Sequence, residues 1–195
     1  MPNISGINLL VALLPAALLA GCTTPVPAPR ASLDPKTGVS LIVVDQPLVL
    51  ARERRDIAAQ ARDYLTLVAA EIDEAGHRRL VLAVHQWSTI DSRTADVHPL
   101  VGADLLLVAD GRDLRFAPLT GAFVAAYAHN PALQRPEDTE VVTTLYEADA
   151  ETLAYIATCH SLSASFPNSF PLPFMVWKDG RSAISRLLTE LGIAK

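Results

Sequence analysis

Apolar residues recur along this chain mostly with the two-residue period of a strand, and turn signals break the pattern at short intervals. Leu41-Ile42-Val43-Val44 is a β-branched run, stopped by Asp45-Gln46-Pro47 and followed by Leu48-Val49-Leu50. Leu80 to Ile90 places Leu80, Leu82 and Val84 on one face and Val81, Ala83, His85 and Trp87 on the other. Apolar groups on both faces predict a central strand covered on each side. Asp104 to Ala109 and Leu114 to Pro118 flank Asp110-Gly111-Arg112, and the Asp-Gly pair supplies the positive backbone angles of a tight hairpin turn.

The last third alternates strand and helix. Glu140 to Glu147 reads as a strand, and Ala148-Asp149 introduces a helix with Asp149 as N-cap and Leu153, Ile156 and Ala157 facing inward. Ser161 to Phe166 alternates Leu162, Ala164 and Phe166 with three serines, a second half-buried strand. After the loop Pro167 to Pro173, the strand Phe174-Met175-Val176-Trp177 meets the turn Lys178-Asp179-Gly180. A final helix is expected over about 182–191, with Ile184, Leu187, Leu188 and Leu191 at helical spacing and Gly192 placed to end it.

One stretch supports two readings. Ile57, Ala61, Leu65, Val68 and Ile72 fit a helix closing near Gly76, yet Tyr64 to Ile72 also fits a strand turning at Glu74-Ala75-Gly76-His77 into Leu80. The hairpin is preferred for 57–75, because Thr66, Val68 and Ile72 favour a pleated surface and the Leu80 strand needs a partner. Ala122 to His129 is open in the same way. Either way the expected class is α+β, a mostly antiparallel sheet with a few packed helices.

The N-terminus follows other rules. Leu9 to Ala20 is an uncharged apolar run containing Pro15, too short for the roughly 20 residues that span a bilayer. It matches the apolar middle of an export signal. The tetrapeptide Leu19-Ala20-Gly21-Cys22 resembles the lipobox of bacterial lipoproteins, although Met1 to Asn8 contains no Lys or Arg. The resemblance implies that the Cys22 thiolate takes a diacylglyceryl thioether, that the bond before it is cut, and that the new amine is acylated. Thr23, not Asp, follows the cysteine, which by the same resemblance suggests sorting to the outer membrane, facing the periplasm. The expected organisation is a signal peptide over 1–21, a lipidated Cys22 with a Pro-rich tether over 22–38, and one domain over 39–195. Prolines at 25, 27, 29 and 35 and few large apolar groups make the tether extended.

Charge and cysteine content narrow the function. The chain has 195 residues and a formal charge of −5, all of it beyond residue 21. A mildly acidic domain without a dense basic stripe argues against nucleic acid and against electrostatic docking on anionic lipid. With Cys22 lipidated, Cys159 is the one remaining thiol, so no internal disulfide is expected. Cys159 beside His160 invites a nucleophile reading, but sequence neighbours point apart, and a small buried group is the expected role.

Motifs for chemistry are few. The sequence contains no Gly-rich phosphate loop, His-Glu-x-x-His, paired Cys-x-x-Cys or Gly-x-Ser-x-Gly, and His77, His85, His98, His129 and His160 lie in five separate segments. No cofactor or metal is expected. The richest group is His85, Trp87, Asp91, Asp96 and His98, with Ser88 or Ser92 as a possible nucleophile for acyl transfer. The favoured function is a non-catalytic, lipid-anchored binding or assembly module whose partner is another envelope protein or polymer. The alternative is a periplasmic hydrolase built on the His85–His98 region.

Overall fold

The computed structural model describes residues 26–35, 37–90, 102–137, 140–167, 169 and 171–193. Its elements in chain order are β1 (Arg30–Leu33), β2 (Ser40–Val43), β3 (Leu48–Glu53), β4 (Arg62–Glu74), β5 (His77–Ser88), β6 (Leu105–Ala109), β7 (Arg112–Phe116), α1 (Ala122–Tyr127), a 3-10 turn (Pro131–Leu133), β8 (Val142–Glu147), α2 (Ala150–Thr158), β9 (Leu162–Ser165), β10 (Phe174–Lys178) and α3 (Arg181–Glu190). All pairings are antiparallel. The chain is therefore a mostly antiparallel sheet with packed helices.

Within the 57–75 stretch, Arg62–Glu74 is strand, and a turn precedes it. β4 and β5 form a long hairpin from Asp63↔Ser88 to Glu74↔His77, turning at Ala75 (φ 53°) and Gly76 (φ 87°). β4 can be this long because both its faces are buried, from Asp63 to Ile72, so no register slip leaves a solvent face to occupy. Its other edge is shared: β3 pairs with 62–67 and β2 with 70–73. The hairpin over 105–116 also forms, with Asp110 at φ 46° and Gly111 at φ 81°. Both values lie in the left-handed region that a type I′ turn requires.

The sheet closes on itself. From β8 the pairing runs through β5, β4, β3, β10, β9 and β6 to β7. Just past β7, Pro118 bridges to Tyr146 of β8, and the Leu119 amide donates to the Leu145 carbonyl at 2.7 Å. Register assigns the enclosed side to Leu48, Leu50, Leu65, Leu67, Leu82, Val84, Leu105, Leu107, Leu114, Phe116, Tyr146 and Phe174, all of them buried. Burying an aliphatic or aromatic side chain of this size contributes about 1.5–3 kcal/mol. Closure covers the free side of β8, while β1, paired with β2 alone, remains an edge strand.

Helices form where the pattern places them. Asp149 caps α2, its Oδ1 accepting from the Thr152 amide at 2.7 Å, which holds its carboxyl below the ordinary Asp value. Leu153 and Ile156 are buried, and Ala157 packs partly against the core. α3 starts one residue earlier than expected and buries Ala183, Ile184, Leu187 and Leu188. It ends at Gly192 (φ 70°), with the Gly192 amide on Thr189 and the Ile193 amide on Leu188. Residues 122–127 are helical.

Part of the segment expected as tether is a strand: Arg30–Leu33 pairs with β2 through Arg30↔Val43 to Leu33↔Ser40. All four of its side chains are exposed, so the pairing is a matter of backbone alone. Cys22, Asp91, Ser92, Asp96 and His98 lie outside the described residues.

Candidate functional site

His85 sits in the middle of β5, between Thr66 of β4 and Thr143 of β8, with no exposed surface. Its Nε2 lies 2.7 Å from the Leu133 carbonyl, which can only accept, so Nε2 carries the proton. Nδ1, 2.9 Å from Thr143 Oγ1, is then free to accept from that hydroxyl. The neutral ring is satisfied at both nitrogens. Burial pushes its pKa below the ordinary histidine value, the Leu133 contact opposes this, and Arg135 adds to the lowering.

The other candidates do not gather around it. Ser88 is three positions away on the alternate face of β5, where its Oγ lies 3.0 Å from Asp63 Oδ1 and 3.1 Å from the Arg62 carbonyl. Cys159 is buried, and its thiol donates to the Ile156 carbonyl at 3.2 Å, whereas the adjacent His160 is 97% exposed. The small buried role expected of Cys159 is the observed one. His160 instead belongs to a turn: Asp110 accepts from the Ser161 amide at 2.7 Å and the His160 amide at 3.0 Å, and these bonds bring its carboxyl down to about 2. His77 and His129 are exposed in separate elements. Among the described residues, no three His, Cys, Asp or Glu side chains converge as metal ligands would.

At one end of the enclosed space the lining turns ionic. Asp63 Oδ2 lies 2.9 Å from Arg52 Nε and 3.1 Å from Arg54 Nη1, and Ser88 holds the other oxygen. Arg54 also binds Asp56, and the Arg52 guanidinium covers the Phe174 ring at 4.3 Å. Asp63, Arg52 and Arg54 keep only 7, 12 and 11% of their side-chain surface. Burial pulls the Arg52 pKa down while Asp63 opposes it. This network plugs the end of the sheet circuit, with its charges spent on one another.

The outer side of the same strands carries a different group. Tyr64 of β4 stacks on Trp87 of β5, ring centres 4.1 Å apart and 10° from parallel. Trp87 also donates from Nε1 to Thr66 Oγ1 at 3.0 Å. Trp177 of β10 meets Tyr64 edge-on at 6.3 Å, and the Arg62 guanidinium lies 4.7 Å from the Trp177 ring centre. Trp177 is the extra residue of a β-bulge: Val176 pairs with Leu50 and Lys178 with Val49, so nothing in β3 opposes it. Trp177 is 58% exposed, Met175 beside it 55% and Leu172 52%. Leu172, Glu53, Arg55 and Asp56 line an open cleft of about 340 Å³. Large apolar residues exposed side by side on a sheet face mark a contact surface more often than single scattered ones do.

Sequence reasoning passed over this face. The available signal was in Phe174-Met175-Val176-Trp177, where alternation sends Phe174 and Val176 one way and Met175 and Trp177 the other. Two large apolar side chains were thereby committed to the side away from the core. No family model, no curated protein and no solved structure matches the chain, so what it does must be read from these residues alone.

Proposed function

We propose that this chain is a bacterial lipoprotein, held by a diacylglyceryl group on Cys22 at the outer membrane and facing the periplasm. On this reading its domain is a non-catalytic binding or assembly module. The observation that carries the binding role is the outer face of β4, β5 and β10, where Trp177 and Met175 lie exposed beside a stacked Tyr64–Trp87 pair and Arg62. Trp, Tyr, Met and Arg are the side chains enriched at protein contact surfaces. The partner is another envelope protein rather than a glycan. A sugar needs an open flat ring, whereas Tyr64 and Trp87 cover each other and Arg62 lies over Trp177. Exposed Met side chains adapt to a protein surface instead.

His85 weighs on the same side. Both its ring nitrogens are engaged inside the core, whereas a base for hydrolysis needs a free nitrogen and a path to substrate. No described helix is long and apolar enough to cross a membrane; the lipid on Cys22 is the attachment this reading supplies.

The test has two arms in living cells. Cys22→Ser should release or mislocalise the protein; mass spectrometry of the parent showing an unmodified chain that still starts at Met1 would overturn the anchor. A photo-crosslinking residue at position 177 or 175 should give an adduct of one defined mass that the same residue at the remote position 112 does not. Identical adducts at 112 and 177, or none at 177, would overturn the assignment of this face.

A further inference from the structure

β1 is fastened to the domain differently from every neighbouring strand. Arg30, Ala31, Ser32 and Leu33 are all exposed, Leu33 at 65%, so apolar burial contributes nothing to holding the strand in place. A two-stranded pairing without a buried face is marginal in water. The ties besides the ladder to β2 are polar or slight. Arg30, itself 67% exposed, pairs with Asp45, and Arg186 of α3 donates to the Val26 carbonyl. Val26 packs partly against the core. Asp34, Thr37 and Gly38 make the connecting turn, with the Gly38 amide on the Asp34 carbonyl at 2.8 Å and Thr37 Oγ1 on Asp34 Oδ2 at 2.9 Å. Immediately beyond the turn, β2 hides Leu41 and Val43 and is gripped by β4. Local stability therefore steps up sharply between β1 and β2.

We propose that β1 is a releasable strap that sets how far the domain stands from its membrane. The inference rests on the lipid anchor at Cys22. With β1 docked and Val26 seated, four peptide steps separate Cys22 from the domain. They span at most about 13 Å. With the strap released back to Val39, seventeen steps separate them, spanning up to about 56 Å. The flanking prolines at 25, 27 and 29 suit either state, because they favour an extended backbone and would break a competing helix run through them. Release also uncovers the edge of β2 from Ser40 to Val43, so a partner strand that pairs there would favour the long-reach state.

The test uses the full lipidated chain on a supported bilayer. Ala31 and Ile42 are direct partners, so Ala31→Cys with Ile42→Cys locks the strap when oxidised. Ala31→Pro with Ser32→Pro removes at least one ladder amide and releases it. In the unlocked parent, β1 amides should exchange about 100-fold faster than those of β4, and oxidised locking should slow them to the β2 rate. By neutron reflectometry the released variant should stand farther from the bilayer than the locked one by about 10 Å or more. Parent β1 amides as slow as those of β4, or equal heights for locked and released forms, would overturn the strap. A mass spectrum without the diacylglyceryl group would instead sink the anchor, while the exchange rates would still decide whether β1 releases.

Discussion

A histidine carried into the middle of a covered strand must have both ring nitrogens answered, and His85 has Leu133 and Thr143 to do so. That arrangement fixes a sign. The folded ring resists protonation because burial lowers its pKa, while in the unfolded chain the group titrates near 6.5. Below that value the unfolded state binds a proton the folded state does not, so stability present above about pH 6.5 is lost as pH falls towards the folded value. The loss amounts to at most about 1.4 kcal/mol per pH unit over that window. Urea unfolding at pH 7.5 and 5.5 should show a drop for the parent that is smaller in His85→Gln; equal drops in the two would refute the assignment. Asp63 supports a second prediction. Asp63→Asn removes the carboxylate that the buried Arg52 and Arg54 guanidinium groups share and should cost about 3–5 kcal/mol in the same assay. Adding Arg52→Met should recover part of that loss, because it removes one of the two guanidinium groups that shared Asp63, while Arg54 keeps Asp56.

At the scale of elements, the join between β10 and α3 is the tightest point. Gly180 precedes α3, and a Cβ there would lie 2.5 Å from the carbonyl carbon and oxygen of Pro47 and 2.6 Å from the Leu48 amide nitrogen. These are backbone atoms at the start of β3, so they cannot swing aside as a side chain would. Gly180→Ala should therefore lower the unfolding free energy by about 1–3 kcal/mol, read by urea titration, with loss of α3 packing. Gly192→Ala would meet no atom, only the strain of its positive φ, and serves as the comparison. Most elements were legible because their cues are local. The capping Asp149, the Asp110-Gly111 turn and the four apolar positions of α3 each act within a few residues. What escaped was β1, since Arg30-Ala31-Ser32-Leu33 is four residues long, buries none of them and is made a strand only by the edge of β2. The bulge at Trp177 escaped for a related reason, as it is defined by the register of β3 against β10.

For the whole molecule, the sequence by itself determined the class and the local geometry. Periods of two and of three to four residues, a cap and two left-handed turn residues are set by neighbours in the chain, so they can be read without the fold. His85 was legible as a packed group from its apolar neighbours, Cys159 as a buried one from its isolation. Only the tertiary structure decided that β4 is a strand rather than a helix, since Leu65, Val68 and Ile72 satisfy both periods and the choice is made by β2, β3 and β5 pairing along it. It alone brought the segment after β7 back to β8, enclosing one face of the sheet. The two faces of one short strand thereby acquired different fates, with Phe174 enclosed under Arg52 and Trp177 left beside Arg62 and Tyr64 on the outside. Pairings between residues as far apart as 64 and 177 depend on where the closed sheet places them, and no local pattern carries that information.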